Sequence, residues 1–325
     1  MAHSDNSADP LAGADAGSRA AGEPAPELRK AQPIKLLQSD SAEDAAVCVF
    51  SATLDHFEAN AATFRERQSV ESVHQMRVAL RRLRAAIGLF KDALCGPSLD
   101  AAREKARSLA AVLGQARNWD VFRKMLDAPG AALAEEPSYY ALIDAVELRR
   151  AKGYRAVRAA LEGDEAAAFV RSFREAIAAR DWTAAPNYKE EGSAKDFARA
   201  ALSRLRKRVL KKSKGLAART PEERHELRIA LKKARYGAEF FESLFAHRKD
   251  AADFAAALAK MQDGLGAYND MATANALLVE VDAQGGATLR ASGFVRGWFA
   301  HAAQAGVAHA RKSEKRLKKL QPFWE

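Results

Sequence analysis

Beyond about residue 33, apolar residues recur every three or four positions, the spacing that puts them on one face of a helix. Val47, Phe50, Leu54, Phe57 and Phe64 form the first such stripe, and Asp40-Ser41-Ala42-Glu43 ahead of it reads as a helix cap. Met76, Leu80, Leu83 and Ile87 form the second, in a helix that opens at Ser69 or Ser72 and runs to Cys95, stopping at Gly96-Pro97. Further helices are predicted over 99–125, interrupted at Leu113-Gly114, and over 137–161 and 164–179. Ala184-Ala185-Pro186-Asn187 and the polar run Lys189-Glu190-Glu191-Gly192-Ser193 read as a linker. Beyond it come a helix over 195–214, one launched by Thr220-Pro221-Glu222-Glu223 with Leu227, Leu231, Ala234 and Ala238 as its apolar face, and helices over 251–265 and 272–281. A last helix spans 289–320, bent near Gly293, Gly297 or Gly306. Little reads as strand, so the pattern predicts an all-α fold.

The polar positions of two of these helices repeat. Val-His-Gln-Met-Arg-Val-Ala-Leu-Arg-Arg-Leu-Arg at 73–84 returns as Arg-His-Glu-Leu-Arg-Ile-Ala-Leu-Lys-Lys-Ala-Arg at 224–235. At about 100° per residue, His74, Arg77, Arg81 and Arg84 fall within a sector of roughly 80°, with Arg82 on its flank. His225, Arg228, Lys232, Lys233 and Arg235 repeat the arrangement. Each helix thus buries one side and carries a basic ridge beside it. A single ridge of this kind is ordinarily a solvated face. Recurrence at identical spacing, the scarcity of acids among the cations, and the planar donor fork of arginine point instead to an anion-binding surface. The echo extends to Leu113-Gly114-Gln115-Ala116-Arg117-Asn118 and Leu265-Gly266-Ala267-Tyr268-Asn269, so the chain reads as a duplication: two antiparallel four-helix bundles related by a pseudo-twofold axis, over 33–185 and 193–325.

Charge sharpens this picture. The 325 residues carry 52 Lys and Arg against 42 Asp and Glu, a formal net charge of +10. Residues 1–32 are rich in Ala, Gly, Ser, Asp and Pro and are expected to form a disordered leader. Between 199 and 219 lie nine basic residues and no acid, with Arg204, Arg208, Lys211 and Lys212 on one helical face leading into the second ridge. Such an excess implies a polyanionic partner: nucleic acid, an anionic membrane surface or an inorganic polyanion. Cys48 and Cys95 lack metal-ligand spacing, and no secretion signal or run of about 18 apolar residues occurs, so a cytoplasmic protein with no membrane span is expected.

The two His-x-x-Arg helices, with Pro33-Ile34-Lys35-Leu36 before the first, Tyr236 and Glu239 after the second, the Leu-Gly elements and the closing Pro322-Phe323-Trp324, resemble the CHAD domain, an α-helical domain named for its histidines. The resemblance covers residues 34–325. It implies two four-helix bundles with a basic groove between them that binds inorganic polyphosphate, and recruitment to cytoplasmic polyphosphate granules, with granule-associated proteins as further partners. The family's basic and histidine positions fall on His74, Arg77, Arg81, Arg82 and Arg84, and on His225, Arg228, Lys232, Lys233 and Arg235. Many relatives also carry a triphosphate-processing CYTH domain, whose Glu-x-Glu-x-Lys strand this chain lacks.

Other readings rest on less. Backbone electrostatics alone do not separate polyphosphate from DNA or RNA, but a nucleic-acid reader wants aromatic residues among its cations, and none is interleaved between Met76 and Arg84. The amphipathic stretch 306–320 suits a granule or membrane surface. No Gly-Lys dipeptide, and hence no Walker loop, is present. Glu239 and Glu242 continue the His225 face, where a metal for phosphoryl transfer would need them, yet the first copy has Gly88 and Lys91 in their place. Neither His has a second ligand at metal spacing. The expectation is a binding protein with no catalytic residue, metal or cofactor.

Overall fold

The computed structural model describes residues 26–186, 193–245, 248–283, 285–320 and 322–325. Most of the expected leader and linker, and the side chains of Tyr268, Asn269 and Arg311, lie outside the described residues. The fold is all-α. Its helices are α1 (Ala42–Glu66), α2 (Val70–Phe90), α3 (Pro97–Met125), the short α4 (Asp127–Gly130), α5 (Pro137–Glu162) and α6 (Asp164–Ala179). After the linker follow α7 (Ala194–Ser213), α8 (Pro221–Phe241), α9 (Arg248–Gly264), α10 (Gly266–Asp282) and α11 (Leu289–Lys319). Two residues of β1 (Leu94–Cys95) pair antiparallel with β2 (Thr183–Ala184).

The helix starts follow from local chemistry. Ser41 caps α1 in a reciprocal box with Asp44, Ser69 accepts from the Ser72 amide at the start of α2, and Thr220 and Glu223 form the same reciprocal box ahead of Pro221 in α8. Three boundaries differ from the sequence reading. The second helix ends at Phe90 rather than Cys95, because Leu94 and Cys95 are drawn into the two-residue ladder. α3 runs unbroken through Gly114, whereas the matching Leu265-Gly266 separates α9 from α10. α11 is continuous past Gly293 and Gly297, helix-interior glycines that its packing tolerates.

Packing joins neighbours in chain order: α1 on α2, α2 on α3 and α3 on α5, then α7 on α8, α8 on α9, and α9 and α10 on α11. The apolar core does not divide at the linker. Phe90 of α2 stacks on Phe197 of α7 at 5.2 Å, with Phe241 of α8 edge-on to both. A second, smaller cluster draws Trp119 and Phe122 from α3, Leu142 and Val146 from α5, Leu278 from α10 and Val295 from α11. The segment before α1 is tied down as well. The Arg29 amide donates to the Asn60 side chain at 3.2 Å, and Gln38 reaches the Leu244 carbonyl at 2.7 Å. At the other end Phe323 and Trp324 are buried against Phe254, and the Trp324 indole donates to Ser203 at 2.9 Å. Leu317 of α11 is fully buried, so this part of the stretch proposed for surface binding has its apolar side committed to the core. Among the described residues, no helix is long and apolar enough to cross a membrane.

Candidate functional site

The apolar faces of α2 and α8 pack inward and bring the two helices into contact, which sets their basic ridges side by side. Arg77 and Arg81 from α2 and Arg228, Lys232 and Arg235 from α8 share one cationic field. Burial pushes Lys232 down to about 8 from its ordinary 10.5, and Arg81, Arg228, Arg77 and Arg235 add to the effect. Arg77 and Arg228 are themselves lowered, first by burial. Guanidinium nitrogens of Arg81, Arg84, Arg228 and Arg235 are buried without a hydrogen-bond partner. Such donors carry a desolvation cost until an acceptor arrives.

The arginine that follows each histidine by three is seated by the Leu-Gly element of its own copy. Arg77 lies over Gly114 and donates to the Ala110 carbonyl at 3.3 Å, while Arg228 approaches Gly266. A side chain at Gly114 would collide with the Arg77 guanidinium. The repeated glycine is therefore explained by the close approach of a cation to a helix backbone.

A cavity of about 200 Å³ opens at this end of the ridges, lined by His74, Arg77 and Arg81 with Arg117 and Asn118 of α3 and Asp270 and Thr273 of α10. Burial, then Arg117, holds His74 below its ordinary value, with Arg81 and Arg77 acting the same way and Glu71 opposing. The site thus favours the neutral imidazole of His74. His225 is exposed at the start of α8 and lines none of this cavity. The two histidines are not equivalent in space.

Arg84 lies within electrostatic reach of Arg77, Arg103, Arg107 and Lys233, and Arg208, Arg103 and Lys91 act on Lys233 as well. Of the other residues singled out by the sequence, Arg204 pairs with Asp92 at 2.9 Å and Lys212 pairs with Glu226. Lys211 is exposed at the margin beside Lys212. Arg82 is buried: it donates to Glu239 and lies over the rings of Tyr236 and Phe240 at 5.8 and 5.0 Å. Glu239, weighed as a metal ligand from the sequence, is shared between Arg82 and Arg235.

Sequence reasoning missed four participants. Arg103, Arg107 and Arg117 on α3 fall within a sector of roughly 80° by helical geometry, a signal spread over 15 residues and diluted by Glu104 and Lys105. Tyr236, the fourth, sits beneath Arg81 and Arg235, with guanidinium carbons 5.9 and 5.2 Å from its centroid. It is an aromatic among the cations after all, but a buried one, closed to base stacking.

Comparison with known proteins bears on the family and the fold. A family model described as the CHAD domain matches residues 48–279. The crystal structure of the CHAD domain from the plant Ricinus communis is similar over 91% of this chain and 99% of its own, at 28% identity and a TM-score of 0.78. PptA from Streptomyces chartreusis shares the fold over 85% of this chain and 100% of its own, at 15% identity and a TM-score of 0.66. No match was found among curated proteins.

Proposed function

The chain belongs to the CHAD domain family, and on that premise we propose that it binds inorganic polyphosphate along the paired ridges of α2 and α8. It does so without chemical turnover, and the polymer carries it to polyphosphate granules in the cytoplasm. The observation that carries this reading is the field around Lys232: four arginines from two helices crowd one half-buried lysine, and several of their donors lack acceptors. A polymer with about one negative charge per phosphate and no bases offers closely spaced acceptors for such a field. The buried Tyr236 supports polyphosphate over single-stranded nucleic acid, since it presents no stacking platform. The carboxylate nearest the ridges, Glu239, is held by two arginines, which favours binding over catalysis.

A salt titration of affinity for long-chain polyphosphate, against single-stranded DNA of matched charge, tests the reading. Wild-type protein is expected to hold polyphosphate at salt concentrations that release DNA. Replacing Arg77, Arg81, Arg228 and Lys232 together by Ala is expected to weaken polyphosphate binding by about 10³-fold at low salt. It should also make the slope of log affinity against log salt shallower by about 3. Equal affinities with parallel slopes, or an unaffected variant, would return the ridges to a generic basic surface.

A further inference from the structure

The duplication places Arg82 opposite Lys233 and Gly88 opposite Glu239, each 151 positions apart. One of the two reciprocal contacts is closed, because Arg82 of α2 donates to Glu239 of α8. The other has lost its acid. Lys233 of α8 and residue 88 of α2 border the same space, and residue 88 is glycine, where an added Cβ would meet nothing within 4 Å. What remains is a cavity of about 210 Å³ whose walls include Lys233, Arg103, Arg208 and Lys91. Among the described residues no carboxylate pairs with these four cations. The acid at the rim, Asp92, is taken by Arg204 at 2.9 Å. Burial lowers Lys233, and every charged neighbour acting on it is a cation.

The cavity is smaller than the roughly 300–1,000 Å³ of pockets that hold drug-sized organic ligands. Its size suits a compact oxyanion better than a nucleotide, and its charge suits a group with more than one negative charge. A terminal phosphoryl group carries about −1.5 to −2 at pH 7, against about −1 for a unit inside a polyphosphate chain. We propose that this pocket is a second anion site, in which a terminal phosphoryl group occupies the place of the carboxylate that the first copy lacks. Free pyrophosphate or tripolyphosphate and the end of a long polymer share that chemistry. Because Lys233 also belongs to the α8 ridge, the site rests on the polyphosphate reading and extends it; the contacts of Arg77, Arg81, Arg228 and Lys232 with the polymer are removed by a separate variant.

Titration calorimetry with tripolyphosphate tests the site. Wild-type protein is expected to show two classes of binding. Gly88→Glu supplies the missing carboxylate to Lys233 and should abolish one class while sparing the other. The fourfold ridge variant should do the reverse. Lys233→Ala combined with Arg103→Ala leaves the helix backbone intact and should weaken the pocket class by at least about tenfold; it serves if Gly88→Glu does not fold, as judged by circular dichroism and Tm. A single class in wild type, or a pocket class unchanged in the Lys233/Arg103 variant, overturns the site. Competition with long-chain polyphosphate separates the sources. Displacement that scales with the number of chain ends identifies the polymer terminus, and no displacement identifies the free short anion. Displacement that scales with total phosphate refutes end-group recognition.

Discussion

Arg81 and Arg82 are adjacent in sequence, both basic and both on the edge of the same helix, yet they differ in what faces them. Arg81 has a buried donor without a hydrogen-bond partner and acts on Lys232 of α8, while Arg82 ends on Glu239 and lies over Phe240. The difference is set by a carboxylate 157 residues away, which a reading of the local motif cannot supply. Arg82→Ala is therefore expected to cost stability rather than affinity. It leaves Glu239 to Arg235 alone and opens an apolar gap, and should lower unfolding free energy by about 2 kcal/mol, measured by denaturant titration. Polyphosphate affinity should stay within about twofold of wild type at fixed salt. A large loss of affinity with stability intact would place Arg82 on the polymer.

Helices are the level at which the sequence was most legible. Capping residues and apolar spacing located α1, α5, α6 and α7 closely, and the starts of α2 and α8, because both signals act over a few residues. What the sequence did not disclose is how one helix uses another. The Leu113-Gly114 pair reads as an interruption if only α3 is considered, since glycine is a poor helix former. Its role appears only when Arg77, arriving from α2, fills the space a side chain would occupy. For the same reason Arg103 and Arg117 escaped notice, as α3 becomes cationic only on the side that meets the ridges. Gly114→Ala, ordinarily favourable within a helix, should displace the Arg77 guanidinium. We expect polyphosphate affinity to fall about three- to tenfold, a loss comparable to one weakened charge-assisted hydrogen bond, with Tm unchanged or raised. Affinity equal to wild type would show that Arg77 reaches the polymer without this seat.

At the scale of the whole molecule, cations from α2 and α8 meet in one field around Lys232, and its sign fixes the response to pH. Burial and the surrounding cations push Lys232 down to about 8, and a bound polyanion is expected to restore it toward its ordinary value. Between those values binding takes up a proton, so affinity should fall as pH rises from about 8, with a slope in log affinity of up to about one per pH unit. His74 behaves likewise at lower pH: its free value is depressed, an anion raises it, and affinity falls as pH climbs out of the acid range. Calorimetry in buffers of different ionisation enthalpy counts these protons. Lys232→Arg should flatten the limb above pH 8 and leave the acid limb in place; a flat wild-type profile from pH 8 to 9 would remove Lys232 from the contact.

The Phe90, Phe197 and Phe241 cluster gives the paired ridges a further property. Its rings come from both sides of the linker, and two of them belong to α2 and α8, the helices that carry the basic ridges. Either half made alone would expose an aromatic face to water and would carry only one ridge. Although the motif is written twice, the unit proposed to bind is indivisible, and transplanting it to another protein requires both copies together with the core they share.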